Sequence, residues 1–158
     1  MNYSLYLMAL CAGMAISTQA VVNSRLAAGL AGNTLTAALI SFCVGTATLA
    51  LISIARGGLT ANLAALPAQP AWTYTGGILG AGFLFSTAFL APRIGLTNML
   101  VLIIAGQLLT SVTIDHFGLL GSLQRPASPL RIIGALVVMG GVLLTLFGDR
   151  LAQLKMPN

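Results

Sequence analysis

Asp115 stands at the end of a stripe, Gln107, Ser111 and Asp115, whose members recur every four residues with Thr110 beside them, so on a helix they share one face. Surrounded by lipid, a carboxylate there attracts a cation or cycles protons; near a helix end it serves equally as a hydrated group or an arginine's partner. His116, the only histidine, exchanges protons near neutrality, although a lone histidine beside a helix end also suits the membrane interface. Gln19 and Asn23 are again four apart. Their amides present donors and acceptors to a solute or to another helix. Arg25 and Arg93 suit an anionic substrate, the headgroups, or, for one of them, Asp115 of an inverted second chain.

These residue types do not add up to a catalytic centre. An intramembrane aspartyl protease needs two facing carboxylates, and the other acid, Asp149, lies near the C-terminal end beside Arg150. No motif marks a nucleophile for His116 to activate. Cys11 and Cys43 stand singly within apolar runs, without metal-ligand spacing, and read as packing residues. There is no phosphate-binding glycine loop, so neither enzyme, metal nor cofactor is expected.

The elements that must carry these groups are membrane helices. The chain has 158 residues, 58% hydrophobic and 6% charged, with a mean hydropathy of +0.99, too apolar for a water-exposed surface. Apolar runs of about 20 residues are what a bilayer crossing requires, and they predict helices over 3–24, 34–55, 71–91, 94–117 and 131–148 in a single domain, 1–158. The first run lacks a basic segment before it and is expected to stay as a helix rather than leave as a signal peptide. Residues 61–68, ahead of Gln69-Pro70, suggest a short interfacial helix. Seven Lys and Arg give a net charge of +5, but they are scattered, which argues against nucleic acid. Arg56, Arg125, Arg131, Arg150 and Lys155 flank apolar runs and suit headgroup anchoring.

Lipid gives helices no hydrophobic reason to associate, so small residues must let backbones approach. Ser41 and Gly45 on the second helix, and the Gly76 and Gly80 GxxxG on the third, are the expected packing residues. They form either a fixed seam or one that moves during transport.

With five spans the termini lie on opposite sides. Arg56, Arg125 and Arg131 then face one side, and Arg25, Arg93, Arg150 and Lys155 the other. So small a bias in positive charge allows insertion both ways, and two opposed copies would form an inverted pair.

Several segments, in order, resemble a known family: Gly13 through Gln19-Ala20-Val21-Val22-Asn23-Ser24-Arg25-Leu26, Ser41-Phe42-Cys43-Val44-Gly45-Thr46, Gly76-Gly77-Ile78-Leu79-Gly80-Ala81, Ala91-Pro92-Arg93-Ile94-Gly95, Ala105-Gly106-Gln107-Leu108, Ile114-Asp115-His116-Phe117-Gly118, and Gly134 leading to Gly140-Gly141-Val142. Together they resemble the YdcZ-like branch of the drug/metabolite transporter superfamily, over almost the whole chain. The resemblance implies an all-α protein of the bacterial inner membrane, a five-helix half of a ten-helix fold completed by a homodimer of dual topology or by an inverted paralogue. The chain contains no glutamate, so the membrane-embedded glutamate of the related small multidrug resistance proteins has no counterpart.

The expectation is therefore a secondary transporter of a small polar or amphipathic metabolite, an antiparallel dimer operating by alternating access, its cavity lined by the Gln19/Asn23 and Gln107/Ser111/Asp115 faces. The alternatives are a dimeric channel and a non-transporting subunit of a larger membrane complex.

Overall fold

The computed structural model describes residues 3–154, without the side chains of Ala61 and residues 149–154. Lys155 and the side chains of Asp149 and Arg150, two of them expected headgroup anchors, lie outside the described residues. The described elements are all helical: α1 (Tyr3–Gly29), α2 (Thr34–Arg56), α3 (Leu59–Ala64), α4 (Thr75–Ile94), α5 (Leu96–Phe117) and α6 (Pro129–Leu154), with three short 3-10 turns. Five stretches are long and apolar enough to cross a membrane: Tyr3–Gly29, Thr34–Arg56, Ala71–Ile94, Leu96–Phe117 and Pro129–Gly148. At most 17% of the most apolar window in any of them is buried. Most of their leucines, isoleucines and valines are thus left uncovered by the chain itself, as befits helices that face lipid or another membrane helix.

The helix ends explain where the observed bounds depart from the expected ones. α1 runs past residue 24, through Arg25, and stops where Ala31 (φ 54) and Gly32 (φ 82) turn left-handed and the Gly32 N–H donates to the Ala27 carbonyl at 2.9 Å. That bond spans the last turn and satisfies a carbonyl the helix leaves free. Asn33 then caps α2, its side chain accepting from Thr36 N at 2.9 Å. α6 starts at Pro129 instead of 131: proline suits the first helical position, and the Ser128 hydroxyl accepts from Arg131 N at 3.3 Å. α3 and a 3-10 turn at Leu66–Ala68 fill the stretch expected to be a short interfacial helix, and Tyr74 Oη donates to the Leu66 carbonyl at 2.6 Å, fastening that stretch to the start of the third span.

Packing divides the chain into two compact units, Met1–Leu96 and Thr97–Asn158. In the first, α1, α2 and α4 each touch the other two. Their buried contacts are made chiefly by Ala20, Ala27, Ala37, Ala38, Ala88 and Ala91, small side chains that let backbones approach. Pro92 lies inside α4 and cannot donate to the Ala88 carbonyl.

In the second unit, the segment after α5 folds back over its C-terminal end. Arg125 N donates to the Asp115 carbonyl at 2.7 Å, Gln124 Nε2 to the His116 carbonyl at 3.2 Å, and the Ser122 hydroxyl to the Ile114 carbonyl at 3.4 Å. Gly118 (φ 62) makes the reversal, passing so close to Gln124 that an added Cβ would sit 3.1 Å from that residue's Cβ.

Candidate substrate site

The α1/α2 hairpin places polar groups opposite one another. Asn23 and Ser41 lie nine residues before and after Gly32, in the middle of the turn. The Ser41 hydroxyl donates to Asn23 Oδ1 at 2.6 Å. Asn23 is only 1% exposed, yet its Nδ2 has no hydrogen-bond partner among the described residues. Leaving a buried donor unpaired costs about 1–3 kcal/mol, so this amide is held in its place by the packing around it.

Gln19 and Gly45 lie thirteen residues from Gly32 on either side, one helical turn farther in. Both line a cavity of about 370 Å³ between α1, α2 and α4, with Ser41, Phe42, Thr46 and Gly80 also in its wall. Glycine at 45 leaves the space that a side chain opposite Gln19 would fill. Residues four apart on a helix are rotated by about 40°, and that rotation lets Gln19 be exposed while Asn23 turns into the bundle. Gly80 admits the Phe42 ring, whose Cζ would lie 3.5 Å from an added Cβ, whereas an added Cβ at Gly45 or Gly76 meets nothing within 4 Å. Of the four expected packing residues, Ser41 and Gly80 thus make contacts inside this bundle.

A second cavity, about 340 Å³, opens where α1 ends, α2 begins and α4 ends, and Arg93 is in its wall. The Arg93 guanidinium lies 3.5 Å from the Phe89 ring centre and donates from Nη1 to the Phe89 carbonyl at 2.5 Å. Arg25 is exposed on α1 and lines neither cavity.

The α5 candidates lie in the second unit. Gln107 is exposed, and the Ser111 hydroxyl turns back to the Leu108 carbonyl at 3.0 Å. Asp115 pairs with Arg131 at 3.4 Å, with both side chains well exposed. His116 Nδ1 accepts from Ala127 N at 3.1 Å, and its ring packs edge-on against Phe117. Asp115 and His116 are thus both bound to the segment that closes the α5 end.

Sequence reading missed Thr46, Phe42, Ser24 and Thr34 as cavity residues. Counting outward from Gly32 would have found Ser41 as the partner of Asn23, because residues equidistant from a tight helical turn meet across the hairpin. No metal-binding cluster of His, Cys, Asp or Glu occurs among the described residues.

Five helices long and apolar enough to cross a membrane among the described residues, three of them packed through small side chains around a largely apolar cavity with a few polar groups in its wall, define a multi-pass membrane protein. The family model described as "Putative inner membrane exporter, YdcZ" matches residues 4–144, and the chain belongs to that family of inner-membrane proteins. The family's description is that of a membrane exporter, which supports transport at a coarse level. No curated protein and no solved structure matches the chain.

Proposed function

We propose that this chain exports a small polar or amphipathic metabolite as a secondary transporter, working by alternating access in an antiparallel dimer of two identical copies. The observation that carries the site is the buried Asn23 amide with its unpaired Nδ2, bonded to a serine that also lines the α1/α2/α4 cavity. Polar groups inside a membrane are costly and are kept where a pathway uses them. Gln19, Ser41 and Thr46 supply the wall to which a solute hydrogen-bonds, and Asn23 takes a new partner when the bundle rearranges. The near-even distribution of cations supports two orientations, and five spans supply half of an inverted repeat.

The test is export from proteoliposomes loaded with a bacterial small-molecule extract and followed by mass spectrometry. Selective loss of a few compounds, accelerated by the same compound outside, supports an exchanging carrier. Loss without counterflow indicates a channel; no loss, together with co-purification of an unlike chain in fixed ratio, indicates a subunit.

Proton coupling through Asp115 is a second reading, favoured by its place at the end of the polar stripe Gln107, Ser111 and Asp115 on α5. Asp115→Asn should then abolish flux driven by a proton gradient while leaving the protein folded. Full retention of that flux removes the acid from the mechanism.

A further inference from the structure

The cavity at the α1/α2/α4 ends differs from the one beside Gln19 in carrying a cation. Residues 1–96 hold Arg25, Arg56 and Arg93 but no aspartate or glutamate, so the first unit contains no carboxylate to neutralise Arg93.

Arg93 is also held in place. A guanidinium against an aromatic ring is pre-organised, losing less freedom when it binds an anion, and Phe89 provides that ring at 3.5 Å. Among the described residues its hydrogen bond is from Nη1, to the Phe89 carbonyl. The remaining N–H groups of the five-donor fork are available to oxygen pairs. Around it the wall is apolar at Ala27, Ala88 and Pro92 and hydroxylic at Ser24 and Thr34. The volume, about 340 Å³, falls in the range of small-molecule sites.

We propose that this cavity binds the carboxylate or phosphate of a small amphiphile through Arg93, with the apolar part of the ligand against Ala27, Ala88 and Pro92. The inference builds on the exporter reading and gives its cargo a charge class, an organic anion. The same chemistry would hold the phosphate of an anionic lipid, and the experiment separates the two.

Binding is measured at equilibrium, without transport, on the full chain in phosphatidylcholine nanodiscs, using radiolabelled benzoate as the probe. Saturable binding at least about tenfold tighter than that of uncharged benzamide is expected, since a charge-assisted contact contributes at least that factor. Arg93→Gln should weaken it about tenfold or more, Arg93→Lys less, and Arg56→Gln not at all. That result assigns the site to a free organic anion. If benzoate does not bind but phosphatidylglycerol co-purifies in native mass spectra, and does so less with Arg93→Gln, the occupant is a lipid headgroup. Equal affinity for benzoate and benzamide, or benzoate and phosphatidylglycerol binding that both ignore Arg93, overturns the proposal. Because no flux is measured, a failed export assay leaves this result intact, and the reverse also holds.

Discussion

Asn23 and Ser41 are joined by a short hydrogen bond in a place where water is scarce, yet such bonds between membrane helices are weaker than isolation suggests. Measured couplings average about 0.6 kcal/mol and reach about 1.7. A double-mutant cycle of Asn23→Ala and Ser41→Ala, read by thermal unfolding in detergent, is expected to fall in that range. Ser41→Ala alone should cost more than the double change, because it leaves the Asn23 oxygen as unpaired as the nitrogen; additive effects would show that the bond does not form. Asp115 and Arg131 make the opposite case. Their pair is 3.4 Å long and both side chains are well exposed, so Asp115→Asn should change stability by less than about 1 kcal/mol. The closing segment keeps its bonds to the Ile114, Asp115 and His116 carbonyls, none of which needs the carboxylate. A loss of several kcal/mol in the same unfolding assay would show that the ion pair holds the α5 end together.

At the level of helices, the glycines of the third span have different duties. Gly80 receives the Phe42 ring beside the Gln19 cavity, while Gly76 is open. Gly76→Ala should therefore raise thermal stability by about 0.5–1 kcal/mol, the usual gain when alanine replaces glycine in a helix, with export unchanged. Gly80→Leu should push Phe42 into the cavity and reduce export at least tenfold without preventing membrane insertion; unimpaired export would show that the cavity is not on the path. The spans themselves were legible in the sequence because hydropathy alone decides what a bilayer accepts. Their ends were less so. Arg25 read as the end of the first helix, yet a single arginine does not break helical geometry, and the helix stopped only where Ala31 and Gly32 turned left-handed. The Gln19/Asn23 face was legible from spacing, but Ser41, read as a packing residue, emerged as Asn23's partner only through the fold of the hairpin. Regular spacing likewise showed the α5 stripe, while the ties from Asp115 to Arg131 and from His116 to Ala127 depend on a reversal whose course no local pattern records.

For the whole molecule, the even scatter of cations is the property open to experiment. With Arg56, Arg125 and Arg131 assigned to one side and Arg25, Arg93, Arg150 and Lys155 to the other, few added charges should decide orientation. Reporters fused to the C-terminus, one active only in the cytoplasm and one only in the periplasm, should both give signal for the native chain. Two lysines added to the segment at 57–58 should silence one of them and abolish export, and co-expression with a chain biased the other way should restore it. Signal from a single reporter in the native chain would rule out the self-inverted dimer.

The hairpin also bears on how the protein is made. Asn23 leaves the ribosome eighteen residues ahead of Ser41, so a nascent first helix enters the bilayer with an amide that has nothing to bond to, close to Arg25 and Gln19. The first helix is then a poor lodger alone and a good one once α2 has followed. Insertion of the two as a pair, held together at the translocon until the turn at Gly32 has closed, is what this arrangement asks of the biosynthetic machinery.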